Sequence, residues 1–353
     1  MRSFVDLERT FSGQPARLGA VLARVDTGRG REQLSAAQLP ELLTALAGET
    51  RIASITASSA IEGVVVAQAR AERIVADTAG TARRYRNRNE RELAGYRDAI
   101  DEMMRLEQPD ARVSVPWLAH VHRRLFGHLD GGGGRLKTEP NLIVSYEQGH
   151  REIVFELPSP EETPFLLSEL CARYDAAQAA GAAHPLVIIG AFVLDLIAIH
   201  PFADGNGRVA RLATTYLLMQ AGYGVPRWVS VEQRIFETKN SYYDVLAASQ
   251  RGWRDGEHDI WPWTAYLVSV LSDSYDRFEE LLAARDGTGL SKQDRVRRYL
   301  LEQAPATFAI ADVRRALPGI SSETIRLVLG ELKNAGQIAS TGRGRGARWR
   351  RTT

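Results

Sequence analysis

The sequence predicts an all-α fold carrying one small β-hairpin, followed by a C-terminal winged helix-turn-helix domain. Three observations lead there. Leu186–Ile199 is the most apolar run of the chain; it opens with Pro185, a good first helical residue, and a helix apolar nearly all round belongs in a core. Elsewhere apolar residues recur at helical spacing, as in Leu18, Val21, Leu22 and Val25, or Leu118, Val121 and Leu125. Strand-like runs are few: 141–146 and 152–155 around a turn at 147–151, and a basic hairpin after Gln337.

The 353 residues suffice for two or three domains. A hydrophobic content of 44% and a charged content of 25% are ordinary for a soluble globular protein. The formal charge of +2 conceals an asymmetry, because residues 291–353 hold 13 Lys/Arg against 5 Asp/Glu. The single Cys171 excludes an internal disulfide and fits a reducing compartment; between Leu170 and Ala172 it reads as a buried helical residue. The N-terminus lacks an apolar signal core, and the 186–199 run is too short and carries Asp195, so no membrane partner and a cytoplasmic location are expected.

In chain order, residues 1–50 read as helices broken at Gly28-Arg29-Gly30. Ile52, Ile55, Ser59 and Glu62 share a helical stripe that Gly63 is placed to end. The charged stretch 81–108 reads as a solvated helix face, Arg83 to Arg91 being answered at once by Glu92, Asp98 and Asp101. Ser114 and Pro116 cap the next helix; its His120 and His122 point in different directions, which argues against a metal site. Gly131–Gly134 form a turn ahead of the hairpin. Residues 165–179 form a helix leading to the apolar one. Gly205–Ala210 fits the loose dinucleotide fingerprint, but a helix precedes it where that fingerprint needs a strand.

The chemistry concentrates in His200–Arg211. Helical N–H groups at a helix start are unpaired and favour anions, so phosphate is the natural guest of a helix expected to begin near Arg208. Gly205 and Gly207 permit close approach of a ligand. Arg208 and Arg211 are three apart, hence on one face, and two guanidinium forks suit a polyphosphate. Asp204 offers one hard oxygen, and nucleotide-bound Mg²⁺ takes only one or two carboxylates. His200 has the ordinary pKa for a base near neutrality. These residues describe a site that binds Mg-nucleotide and deprotonates a hydroxyl.

His-Pro-Phe-x-Asp-Gly-Asn-Gly-Arg-x-x-Arg, met here at every defined position from His200 to Arg211, is the signature of the Fic (Fic/DOC) family, and residues 50–280 resemble it. The resemblance implies a Fic fold and transfer of AMP from ATP to a Ser, Thr or Tyr hydroxyl of a target protein. It implies His200 as the catalytic base, Asp204 as the Mg²⁺ ligand, and Gly205, Asn206, Gly207, Arg208 and Arg211 as nucleotide-binding. Ser58-Ser-Ala-Ile-Glu62-Gly63 matches the family's inhibitory motif, in which the glutamate (here Glu62) pairs with the second signature arginine (here Arg211) and blocks the γ-phosphate. The hairpin at about 141–157 would be the flap that holds the target by strand addition, with Ile153, Val154 and Phe155 bordering the nucleotide. Tyr242, first of a Tyr pair, would lie near the adenine; Gln250 stands where some relatives have a nucleotide-touching Asn. Family members that transfer phosphate have Lys at the position of Gly207, so glycine there favours AMP chemistry.

The expected organisation is a helical region at 1–110 with the inhibitory motif at 58–63, a core at 111–285, and a winged helix at 290–353 after a Gly-rich linker. In that last domain Arg326, Arg343, Arg345 and Arg348 are the candidate phosphate contacts. ATP, a protein target, DNA and a second copy of the chain are the candidate partners. Two alternatives stay open: AMP removal with Glu62 orienting water, and a DNA-binding regulator that uses the nucleotide site as a sensor.

Overall fold

The computed structural model describes residues 2–352 apart from 6, 78–84, 105–111, 142, 148–149, 286–291, 318–319 and 342–347, and the backbone but not the side chains of 7–9, 37–38, 40–41, 143–147, 150–154 and 285. The chain forms two compact units, Met1–Phe278 and Glu279–Thr353. It is mostly helical. Among the described residues no helix is long and apolar enough to cross a membrane.

The first unit contains α1 (Leu7–Ser12), α2 (Ala16–Gln38), α3 (Pro40–Ile61), α4 (Gln68–Ala76), α5 (Arg88–Met104) and α6 (Val115–Leu125). An antiparallel hairpin follows, β1 (Ile143–Glu147) and β2 (His150–Phe155), then α7 (Thr163–Ala180), α8 (Pro185–Ile199), α9 (Asn206–Gln220), α10 (Val231–Glu237), α11 (Lys239–Gln250) and α12 (Trp261–Arg285), whose residues from Glu279 on belong to the second unit. Helix α8 is the central rod: Leu186 to Ile199 are all buried, and it packs between α7 and α9. Burying so apolar a helix on every side is what fixes the end from which the signature loop springs. Its one charged residue, Asp195, is fully buried yet satisfied by Ser3 N (3.2 Å), Ser3 Oγ (2.7 Å) and Trp253 Nε1 (2.6 Å).

Two expectations fail here. Gly28 and Gly30 do not break a helix; both lie inside α2. A Cβ on Gly28 would lie 2.6 Å from Tyr275 Cγ, so the glycine serves the close approach of α2 to the Tyr275 ring. The 81–108 stretch is not simply a solvated face either. In α5, Glu90, Glu92 and Arg97 are buried, and each is paired. Glu90 accepts from Arg70 (2.8 Å) and Arg86 N (2.9 Å), and Arg97 donates to Asp98 (2.6 Å) and to Ile74 O (2.7 Å). Burial of a charge is tolerated when partners replace water. Arg83, Arg84 and the break at Pro109-Asp110 lie outside the described residues.

In the hairpin Glu147 pairs with His150 and Ile143 with Phe155, with an irregularity between Ile143 and Val144. The strands therefore run closer to the turn than the 147–151 loop read from sequence.

The second unit contains α13 (Lys292–Arg298), a π-helical turn at Tyr299–Gln303, β3 (Thr307–Phe308), α14 (Ile310–Ala316), α15 (Ser322–Asn334), β4 (Ile338–Thr341) and β5 (Arg348–Arg351). The strands form an antiparallel sheet in the order β3–β5–β4. Its core gathers Val296, Leu300, Phe308, Val313, Ile325, Val328, Leu329, Leu332 and Ile338, with Trp349 packed against it. Ser321 caps α15 by accepting from Thr324 N at 3.1 Å.

Candidate active site

His200 terminates α8 with φ 52° and ψ 60°, the one described non-glycine residue at positive φ. That setting costs energy for a Cβ-bearing residue and turns the chain sharply out of the rod. The half-buried imidazole places Nδ1 3.3 Å from Ile197 O. A carbonyl only accepts, so Nδ1 carries the hydrogen and Nε2 is left as the free basic nitrogen. Burial pushes the His200 pKa down to about 4, which keeps it neutral near pH 7.

The loop is closed by Asn206. Its Oδ1 accepts from Phe202 N at 2.9 Å and its Nδ2 donates to Phe202 O at 2.7 Å. The expected nucleotide contact by Asn206 would have to come from the main chain, because the side-chain amide is engaged in this closure. Gly205 is the N-cap of α9 with φ 79°, and a Cβ there would lie 2.5 Å from the Phe126 ring. Helix α9 thus begins at Asn206, two residues earlier than expected, because the left-handed Gly205 can start the helical turn at once. Val209 N makes the first bond of the ladder, to Gly205 O at 2.9 Å, which leaves the N–H groups of Asn206, Gly207 and Arg208 outside it.

Both signature arginines are buried and lie against carboxylates. Arg211 donates from Nε to Ser58 Oγ (2.8 Å), and from Nη2 to Ser58 O (3.0 Å) and Glu62 Oε1 (2.8 Å). Its Nη1 is buried without a hydrogen-bond partner. Glu62 is the C-cap residue of α3 and Gly63, at φ 79°, turns the chain away. A Cβ on Gly207 would collide with Glu62 Oε1, so the carboxylate lies directly over that glycine. Arg208 donates from Nη1 to Glu92 Oε2 at 2.5 Å and stands over the Phe126 ring at 5.3 Å, with Nε buried and unpartnered. Unpartnered buried guanidinium N–H groups beside three free helix N–H groups are donors suited to an anion.

Glu92 and Arg88 escaped the sequence reading. Glu92 accepts from Arg88 Nε at 2.5 Å, and Arg88 Nη2 reaches Asp204 Oδ2 at 3.1 Å. His122 also matters here. Gly134 N donates to His122 Nδ1 at 2.7 Å, so the hydrogen sits on Nε2, which donates to Asp204 O at 3.1 Å. The ring stacks on Phe202 with centroids 4.0 Å apart, and burial pushes its pKa down to about 4. His122 ties the Gly131–Gly134 turn to the signature loop; a lone histidine two residues from another gave no such signal in sequence.

Among the described residues no three His, Cys, Asp or Glu cluster as a metal cage. The half-exposed Asp204 carboxylate is a single hard donor, its Oδ1 accepting from Gly205 N at 2.6 Å. That fits Mg²⁺ carried by a nucleotide, whose remaining ligands are phosphates and water.

Of the other predicted residues, Tyr242 is buried against Trp263 (centroids 5.8 Å), and burial raises its pKa. Phe155 packs edge-on to Trp253 at 6.2 Å. The side chains of Ile153 and Val154, and residues Arg343 and Arg345, lie outside the described residues. Gln250 is buried with Nε2 unpartnered. Cys171 is buried and its thiol is pushed up to about 12 by that burial, so it is inert.

The loop lies between two buried helices, and its surroundings can be compared with known proteins. Residues 112–218 match the family model described as Fic/DOC family. It is 30% identical over 168 residues to "Protein adenylyltransferase Fic" of Culex quinquefasciatus, covering 47% of this chain and 29% of that protein. The chain thus spans under a third of the length of that relative. The fold is similar to that of a Fic family protein from Desulfovibrio desulfuricans (TM-score 0.60, 22% identity, 96% of this chain and 97% of that one). It is also similar to a Fic domain-containing signaling protein from Bacteroides thetaiotaomicron (TM-score 0.61, 20% identity, 77% and 99%).

Proposed function

We propose that this protein is a protein adenylyltransferase that its own helix α3 holds off. The observation that carries the reading is the Arg211–Glu62 contact directly over Gly207, which puts a carboxylate where an anionic ligand of the α9 N-terminus would go. In the active state His200 Nε2 takes the proton of a target hydroxyl. The oxygen then bonds to the α-phosphorus of ATP in line with the departing pyrophosphate, whose bond to that phosphorus breaks. The N–H groups at the start of α9 face the charge that builds on the phosphates, while Arg208 and Arg211 hold the β- and γ-phosphates. Mg²⁺ held by Asp204 would neutralise phosphate charge. A hundredfold block needs only about 2.7 kcal/mol, within reach of a shielded Arg–carboxylate pair.

The test is transfer of label from α-labelled ATP with Mg²⁺, alone and with cell extract, by wild type, Glu62→Gly and Glu62→Gly/His200→Ala. Label that rises with Glu62→Gly and vanishes in the double variant is the expected result. Absence of label from every variant would move the reading to AMP removal or to a nucleotide sensor.

A second reading has its own support. Among its described residues the second unit has helices α13, α14 and α15 and a small sheet, with Arg326, Arg348 and Arg350 exposed. We read it as a winged helix that binds DNA phosphates through these arginines.

A further inference from the structure

We propose that Lys137 is the positioning residue of His200, its main chain and its ammonium clasping the carbonyls on either side of the histidine. The inference rests on the adenylyltransferase reading only for what His200 does, not for the clasp itself. Lys137 N donates to Pro201 O at 2.9 Å, and Lys137 Nζ donates to Ile199 O at 3.2 Å. The residue between those carbonyls is the one held at φ 52°. A strained backbone persists only where its surroundings over-determine it, and two bonds from one residue, flanking the strained position, do that.

The location is unusual for a lysine. Lys137 is 4% exposed, far below the usual exposure of its type. Burial pushes its pKa down to about 8, so it stays mostly charged near neutrality. Ile199 O is among the last carbonyls of α8, which have no intrahelical partner and carry the negative end of the helix dipole. A cation there satisfies the carbonyl and faces the dipole. It also stands among the charges that act on His200: Lys137 favours the neutral imidazole, whereas Glu62 and Asp204 favour the charged one. Glu162 and Arg254 are the charged groups that act on Lys137. Lys137 touches no reacting atom in this scheme; it sets the orientation and basicity of the residue that does.

The experiment follows the His200 ring by NMR, assigned by loss of its signal in His200→Ala. Wild type, Lys137→Met, Lys137→Gln and Lys137→Arg are titrated from pH 3.5 to 8, each checked for a cooperative melt. Lys137→Met should move the His200 midpoint upward from about 4 toward the ordinary ~6.5. Lys137→Gln, which keeps a donor and loses the charge, should move it in the same direction, and Lys137→Arg should restore it. In the Glu62→Gly background, Lys137→Met should lower kcat for AMP transfer at least tenfold with little change in KM for ATP. A His200 midpoint that stays at the wild-type value in a folded Lys137→Gln protein would overturn the proposal. If Lys137→Met does not fold, Lys137→Gln alone decides. If no variant transfers AMP, the transferase reading fails while the titration still judges the clasp.

Discussion

At the scale of single residues, the site is built from buried groups whose protonation is fixed by their surroundings. His122 and His200 are pushed by burial to about 4, and so is His258, which lies outside the site with Nε2 2.8 Å from Ser3 Oγ. A histidine with a folded pKa below its unfolded value of ~6.5 is neutral in the native state and must take up a proton on unfolding at acid pH, so it removes stability as pH falls from ~6.5 toward 4. For the well-buried His122 the slope approaches about 1.4 kcal/mol per pH unit. Asp195 acts with the opposite sign. Burial raises it to about 6, so the stability it contributes is present below ~4 and is lost as pH rises through 6. Glu32, also raised by burial, acts with the same sign as Asp195; three histidines oppose two carboxyls, and the melting temperature should therefore fall between pH 7 and pH 5. Calorimetry at the two pH values checks this; an unchanged or higher melting temperature at pH 5 would show that these histidines are not held neutral.

The same logic of engaged groups extends along helix α3. Thr50, Ser54, Ser58 and Glu62 recur every four residues, so they form one polar stripe on this element. Thr50 Oγ1 donates to Trp228 O at 2.7 Å, Ser54 Oγ to Ser230 Oγ at 2.9 Å, and the last two members hold Arg211. The stripe docks the whole helix, so its far end bears on the seating of Glu62. Thr50→Val leaves the Trp228 carbonyl without its donor, at a cost of about 1–3 kcal/mol. If the proposed inhibition holds and about 1 kcal/mol of that weakens the seating of α3, AMP transfer by the wild-type background should rise about fivefold. In the Glu62→Gly background the same change should leave the rate unaltered, because under the proposed inhibition nothing remains for α3 to block. A parallel change in both backgrounds would locate the effect elsewhere.

Across the whole chain, what could be read in the sequence was what lies contiguous in it. The buried rod at 186–199, the loop at 200–207 and the hairpin each announce themselves within a dozen residues. Glu92 did not, because its partner Arg208 is 116 residues away, and in sequence its charge merely balances the arginines of its own helix. Gly28 misled for a related reason: only the distant Tyr275 ring explains it. The basic character of the second unit, by contrast, is a property of composition and carries a prediction at the scale of the molecule. If the full-length protein binds duplex DNA through this unit, neutralised phosphates release counterions, and log affinity falls linearly with log salt at a slope near 0.9 per phosphate contact. Arg348 and Arg350 are exposed on β5, whereas Arg351 is engaged with Leu301 O and Ala304 O. Changing Arg348 and Arg350 to Ala should therefore weaken binding to all duplexes alike and flatten the slope by about two contacts, or roughly 1.8. The rate of AMP transfer by Glu62→Gly should not change in that variant. A slope that stays the same would place any DNA contact outside β5, and an absence of binding at low salt would assign the second unit to protein docking instead.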